Sequence, residues 1–247
     1  KHKNLKDILP LKRLFIKTEL KEKSLINLSV SNLHYITNVL RIREKQKILI
    51  FNGIQGEWEG VVQDLSKKKG LIAIEKQTKK QEKEKLINII YVPIKGHRNY
   101  YLIEKITELG VSNIFPIISE HSVIKKFNYK RANACTIAAS QQSGRLSVPK
   151  IHEFKNLKNL LSLWKKNDQI LFCNETEKKI FFKDLFRWIS KKKINTILIG
   201  PEGGFSFSEI NFLKSLDYVF SFSLGKRVLR ADTAAICALA LLRSKKN

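Results

Sequence analysis

Thr196-Ile197-Leu198-Ile199-Gly200-Pro201-Glu202-Gly203-Gly204-Phe205 is an apolar run that breaks into a glycine-bearing turn. The run reads as a buried strand, Gly-Pro as its end, and Ser208 to Leu216 beyond it as a helix. Downstream, Tyr218 to Ser223 is a second strand. It opens into Leu224-Gly225-Lys226-Arg227-Val228-Leu229-Arg230-Ala231-Asp232-Thr233-Ala234, and a helix follows from Thr233 to Arg243. Two glycine loops at the ends of neighbouring apolar strands can wrap a small ligand with backbone groups. This alternation argues for a largely parallel sheet covered on both faces, an α/β fold.

The loop residues narrow the ligand. No G-x-x-x-x-G-K-[ST] occurs, and no G-x-G-x-x-G follows the first strand of this region, so a P-loop and the usual dinucleotide fingerprint are excluded. Pro201 stiffens the first turn, while Gly203 and Gly204 permit positive φ and close backbone approach. Glu202 repels phosphate but favours a cation or accepts from an amine. S-adenosylmethionine, with a cationic centre and an adenine face, fits; a rigid turn with no ligand explains the first loop equally well. In the second loop, capping alone accounts for Asp232 and Thr233. Arg230 has more options: it can pair with Asp232, or hold a phosphate or a base edge.

Working outward, residues 12 to about 75 read as short strands: Phe15-Ile16, Lys47 to Phe51, Trp58 to Val62 and Leu71 to Ile74. Asn52-Gly53 and the cluster Ser66 to Gly70 are turns, and Ser31 to Val39 is a short helix with an N-cap Ser followed by apolar positions 33, 36, 39 and 40. This is a small β-barrel-like module, residues 1–75. Residues 76–85, with no apolar side chain, form a linker or a solvated strand end. From 86 to 247 strands and helices alternate. Ile87 to Val92, Asn113 to Ile118 and Gln169 to Cys173 are further strands, and Pro116 argues for an edge or an end. Helices are expected over Tyr100–Leu109, Tyr129–Gln142, Leu157–Trp164 and Ile180–Ser190, with Gly110 and Gly144 as stops.

Of 247 residues, 47 are Lys or Arg and 22 Asp or Glu, a net charge of +25. So large an excess repels itself unless a polyanion neutralises it, which favours nucleic acid; a lysine-rich genome bias is the bland alternative. The longest nearly apolar stretch, Ala231 to Leu242, is shorter than the roughly 20 residues of a membrane span and contains Asp232. With no secretory pattern at the start, the expectation is a soluble, cytoplasmic protein without a membrane partner. Cys135, Cys173 and Cys237 lie too far apart for a zinc site or a disulfide framework, so no metal is expected.

Several stretches in order then resemble one family: His34-Tyr35-Ile36-Thr37-Asn38-Val39-Leu40-Arg41; Lys95 to Arg98 with Lys105-Ile106-Thr107-Glu108-Leu109-Gly110-Val111; Ser119-Glu120-His121-Ser122-Val123; Gln142-Ser143-Gly144-Arg145 with Val148-Pro149; and the two C-terminal loops. The chain resembles the RsmE-type methyltransferases of the SPOUT superfamily, which methylate N3 of a uridine in 16S ribosomal RNA. The resemblance implies an N-terminal PUA-like RNA-binding barrel and a SPOUT catalytic domain with a C-terminal trefoil knot. It also implies a homodimer and S-adenosylmethionine as cofactor. By motif, Leu198, Ile199, Gly200, Glu202, Gly203 and Gly204, with Leu224, Gly225, Val228 and Leu229, line the cofactor pocket. Lys226 stands where Pro is expected, Ala231-Asp232 where Thr-Glu is common, and Gln141 where an acidic residue is frequent.

The implied reaction is direct methyl transfer to uracil N3, with 16S rRNA or the small ribosomal subunit as partner. Arg230 is the candidate for stabilising charge on the uracil oxygens; Asp232 or Glu202 could accept the proton, bind cofactor or cap a helix. Arg13, Arg41, Arg43, Lys95, Arg98 and Arg145 are candidate phosphate partners, a solvated charge being the alternative for each. His97 and His121 are read as structural. Two competing functions remain: a SPOUT methyltransferase acting on another RNA such as tRNA, and a non-catalytic RNA-binding assembly factor.

Overall fold

The computed structural model describes residues 11–66, 68–175, 177 and 194–244. The helix expected over Ile180–Ser190 lies outside them. The chain divides into two units, Lys1–Lys83 with Ser140–Val148, and Glu84–Ala139 with Pro149–Asn247.

In the first unit, β1 (Arg13–Phe15), β2 (Leu25–Asn27), β3 (Lys47–Phe51), β4 (Glu57–Gln63) and β5 (Leu71–Lys79) form a sheet in the order β1-β3-β4-β5-β2. Only the β1–β3 pairing is parallel. Alternation builds its core: Leu14, Ile48, Ile50, Val62, Ile72 and Ile74 point inward from the strands, joined by Ile36 and Ile42. Gly60 allows this closeness, because a Cβ there would stand 2.8 Å from Ile72 Cγ2. β5 runs on through Lys79, so the first four residues of the expected linker are the exposed end of a strand.

The short helix begins earlier than expected. Ser29, not Ser31, caps α1 (Val30–His34) by accepting from the Asn32 N–H, and the chain continues as one π turn over Tyr35–Val39. The Thr37 hydroxyl donates to the Leu33 carbonyl at 2.9 Å, and Leu40 N–H reaches back five residues to Tyr35 O at 2.9 Å. The wider turn leaves Ile36 buried and Val39 exposed, against its expected core position. Arg41, at φ 51°, then stops the helix.

Arg13 requires a correction. Its guanidinium is not offered to a phosphate. Nε donates to Glu57 Oε2 at 2.6 Å, Nη1 to the Ser140 and Gln141 carbonyls, and Nη2 to the Arg145 carbonyl. The Phe51 ring covers it at 4.4 Å. Beside it, the buried Gln141 accepts from Phe15 N–H at 2.9 Å through Oε1, a bond any carboxylate here would also accept.

The second unit is an all-parallel sheet in the order β12-β10-β11-β6-β7-β8, with β9 also on β7. Its strands are β6 (Asn88–Tyr91), β7 (Asn113–Ile118), β8 (Lys150–Ile151), β9 (Lys155–Asn156), β10 (Ile170–Cys173), β11 (Thr196–Ile199) and β12 (Val219–Phe222). Its helices are α2 (His97–Glu108), α3 (Tyr129–Ser143, from Ser140 counted with the first unit), α4 (Leu157–Ser162), α5 (Phe207–Ser215) and α6 (Ala231–Arg243). Ile89, Ile197 and Ile199 share one core with α2 and α6, and Ile90 and Leu198 share the other with α4 and α5. Both faces are therefore buried, as the unbroken apolar strands require.

β7 is not an edge, one of the two places that Pro116 suggested; the proline stands instead at the last pair of the β6–β7 ladder. The strand pairs with β6 on one side, while β8 takes Asn113–Ile114 and β9 takes Ile117–Ile118 on the other. The proline, which has no N–H to donate, falls in the gap between those short partners.

A polar row crosses the starting ends of the central strands. Thr196 Oγ1 accepts from Asn88 Nδ2 at 3.1 Å, Asn88 Oδ1 accepts from Asn113 Nδ2 at 2.9 Å, and Asn113 Oδ1 lies 2.9 Å from His152 Nε2. Each buried polar atom in the row thus has a partner inside an otherwise apolar sheet.

Candidate active site

At the opposite, C-terminal ends of β10, β11 and β12 the chain leaves three adjacent strands and encloses a cavity of about 580 Å³. Such a crevice is where open parallel sheets bind ligands, and the volume suits a nucleoside-sized molecule. The first loop runs Ile199–Phe205, the second Ser223–Ala231, and Phe172–Glu175 forms a third wall. Phe172, Ile199, Phe205, Leu224, Leu229 and Ala234 supply apolar surface, while Glu175 and Glu202 face a rim that also holds Arg98, Arg227 and Arg230.

Local bonds fix the first loop. Gly204, at φ 70°, returns its N–H to the Pro201 carbonyl at 2.9 Å. His121 Nδ1 lies 3.0 Å from Gly204 O, so its structural reading has a concrete form. Ser206 caps α5 in a reciprocal box with Glu209. Glu209 also accepts from the Glu120 N–H at 2.9 Å, and Ser208 Oγ donates to Glu120 at 2.7 Å. The Ser119–Ser122 stretch is therefore the brace of the first loop.

The second loop is stitched to itself by Ser223, whose hydroxyl donates to Gly225 O at 2.9 Å. Gly225 sits at φ 135°, which favours glycine. Arg230 is the N-cap residue of α6 and is exposed; its side chain makes no hydrogen bond or ion pair among the described residues.

Ile199, Gly200, Glu202, Gly203, Gly204, Leu224, Gly225, Val228, Leu229 and Arg230 all come together on the cavity wall. Leu198 does not. Strand alternation turns it, fully buried, into the core beneath α4 and α5. Asp232 lies behind the wall rather than on it. Sequence reasoning missed Asn174, Glu175 and Arg227; the loop after β10 carries no glycine to mark it.

Arg98 is a second correction. Instead of awaiting a phosphate, its Nη1 donates to Glu202 Oε1 at 2.6 Å, Nη2 to Asp232 Oδ1 at 2.7 Å and Nε to Asp232 Oδ2 at 3.2 Å. Burial alone pushes the Asp232 carboxyl up, but hydrogen bonds from Arg98 and from the Thr233 N–H, with the guanidinium charge, outweigh it and hold the group below the usual Asp value. A carboxylate so held is a poor proton acceptor. Arg41, Arg43 and Lys95 are exposed, and Arg145 Nη2 donates to Ser147 Oγ at 2.9 Å. Among the described residues no three His, Cys, Asp or Glu side chains cluster as metal ligands, and no helix is long and apolar enough to cross a membrane.

Comparison with known proteins agrees with this architecture. Residues 81–243 match the model of an RNA methyltransferase domain and residues 28–75 that of an RNA methyltransferase PUA domain. The ribosomal RNA small subunit methyltransferase E of Rickettsia conorii is 34% identical over 235 residues, covering 94% of both chains. Its namesake from Buchnera aphidicola (subsp. Schizaphis graminum) is 33% identical over 249 residues, covering 94% of this chain and 96% of the relative. A methyltransferase of Legionella pneumophila, solved in complex with the cofactor S-adenosylmethionine, superposes with a TM-score of 0.83 at 26% identity, covering 96% of this chain and 98% of that one. The Neisseria gonorrhoeae methyltransferase E structure shares the fold, with a TM-score of 0.84 at 24% identity over 95% of this chain and 98% of that one. A PUA domain ahead of a parallel-sheet methyltransferase domain, matched along nearly the whole length, places this chain in the ribosomal RNA small subunit methyltransferase E family.

Proposed function

We propose that the chain methylates N3 of a uridine in 16S ribosomal RNA of the small subunit, with S-adenosylmethionine as methyl donor. The single observation that carries the reading is the cavity walled by three loops at the ends of β10, β11 and β12. The residues fit the donor. Apolar side chains offer surface to an adenine, glycine backbone permits close approach, and Glu202 and Glu175 suit a cationic group. Bound there, the donor supplies an electrophilic methyl carbon on a sulfonium. The family's small-subunit RNA activity and the Legionella complex support the same assignment.

The chain's own residues have three tasks. Ile199, Leu224 and Leu229 hold the donor by shape, and the glycines of both loops leave their backbone groups near it. Arg230, exposed at the cavity and without a partner among the described residues, offers its fork to the uracil oxygens as the N3 proton leaves; removing one such charge-stabilising donor costs about 10²–10³ in rate in comparable sites. Holding the base against the donor contributes the entropy of encounter. Asp232 is assigned to architecture rather than proton transfer, because its bonds to Arg98 lower its basicity.

Arg41 and Arg43, with Lys95, are proposed phosphate contacts, the first two on the PUA unit. The trefoil knot and the homodimer, both implied by the family resemblance, belong to this proposal. Exposed Leu86 and Tyr101 in the second unit are consistent with a paired surface. Incubating the protein with labelled S-adenosylmethionine and small-subunit RNA or particles, then mapping the product by mass spectrometry, tests the reading. Methyl label on a uridine N3 of 16S RNA is expected. Label on tRNA, or none with either form of substrate, overturns it.

A further inference from the structure

Arg98 occupies a place that the methyl-transfer reading leaves unexplained. It stands in the first turn of α2, Glu202 stands on the first loop, and Asp232 stands in the first turn of α6. One guanidinium joins all three segments. We propose that Arg98 is a positioning residue of the cofactor cavity, clasping the first loop to the start of α6 so that Glu202 and Arg230 face the ligand from fixed places.

Arg98 is itself well seated. Asn99 Oδ1 accepts from the Ile94 N–H at 3.2 Å and from the Tyr91 hydroxyl at 3.3 Å, which ties the first turn of α2 to the end of β6. From that base two nitrogens engage both oxygens of Asp232, and the third remains for Glu202. The planar fork is needed, since a lysine ammonium presents one point charge and cannot match this pattern. The two carboxylates differ in burial: Asp232 is 12% exposed and Glu202 53%. Asp232 is therefore the anchor and Glu202 the group being steered. Asp232 also accepts from the Thr233 N–H at 2.9 Å, so the clasp sets the start of the helix that Arg230 caps. Without Arg98, burial acts on Asp232 with one opposing partner fewer, and the carboxyl takes a proton at higher pH.

The inference rests on the cofactor reading, and the experiment separates the two. Binding of S-adenosylmethionine to the full chain is measured by calorimetry for the wild type, R98M, R98K and the surface control K125M. R98M should bind about tenfold or more weakly, R98K should recover part of the loss, and K125M should match the wild type. In steady-state assays the KM for the donor should rise by more than kcat falls. The R98M deficit should also grow as the pH is lowered from about 7.5, and by more than any change in the wild type, because Asp232 without Arg98 protonates at higher pH. Wild-type affinity in R98M at every pH overturns the inference, as does a loss confined to RNA binding and its salt dependence. A wild type that binds no donor overturns the cofactor reading instead. If R98M does not fold, a cycle of R98K with E202Q decides: coupled losses support the clasp and additive ones reject it.

Discussion

The ring of Phe205 lies against the open face of Gly200, where a Cβ would stand 3.1 Å from two ring carbons. Phe205 is buried and meets Phe172 edge to face at 5.5 Å, and both rings line the cavity. Gly200→Ala must therefore displace an aromatic wall of the ligand space. Overpacking of this kind costs about 1–3 kcal/mol, and S-adenosylmethionine affinity should fall about tenfold. Calorimetry and urea denaturation check both values, and adding Phe205→Leu should restore part of the affinity.

Arg230→Ala should behave oppositely. The side chain is exposed and makes no bond among the described residues, so its loss should leave the melting temperature unchanged. Turnover with saturating donor should drop about 10²–10³-fold. Near-normal turnover refutes its assignment to the transition state.

Arg13→Met should fold poorly for a reason unrelated to RNA. Glu57, 1% exposed, would keep only Lys79 Nζ at 3.3 Å and the Thr78 hydroxyl at 3.2 Å among the described residues, and three carbonyls would lose their donor. Breaking a buried pair from one side costs about 3–5 kcal/mol, and the remaining Lys79 contact holds the loss toward the lower end. Denaturant melts of the full chain should show that loss, with Arg41→Ala as an exposed comparison that changes little.

Acid should weaken the second unit through His152. Burial, then the charge of Lys150, holds this imidazole below its usual value while it stacks on Phe115 at 4.0 Å. The fold prefers the neutral ring, so its contribution is complete above the unfolded value near about 6.5 and is lost as pH falls through the lower folded value. His152→Gln removes that titration. Its stability should change less than that of the wild type between about pH 6.5 and about pH 5, as read by thermal melts.

The parallel sheet and both glycine loops were legible because uninterrupted apolar strands and Gly-Pro or Leu-Gly breaks are local signals. The third wall was not. Asn174-Glu175 reads as any polar loop, and it borders the cavity only because β10 lies between β12 and β11. The short strands β2, β8 and β9 escaped for want of length; β2 buries Ile26 alone. Arg13 and Arg98 were read as phosphate contacts because sequence displays a charge but not its partner. Glu57 is 44 positions from Arg13, and Asp232 is 134 from Arg98. The π turn was invisible for a related reason, since the Thr37 hydroxyl donates to the Leu33 carbonyl there and a helical pattern does not specify that target.

The amides of Asn88 and Asn113 have a consequence far from where they sit. Strands made of Ile, Leu and Val would pair almost as well after sliding by two residues, since the same faces would stay covered. The Thr196–Asn88–Asn113 contacts allow one alignment only, because any slide strands a buried amide. β11, β6 and β7 then finish at defined heights, which sets the level of the first loop at the ligand chamber. Asn88→Leu should accordingly blur donor binding from the far side of the sheet without touching a single residue that meets the donor.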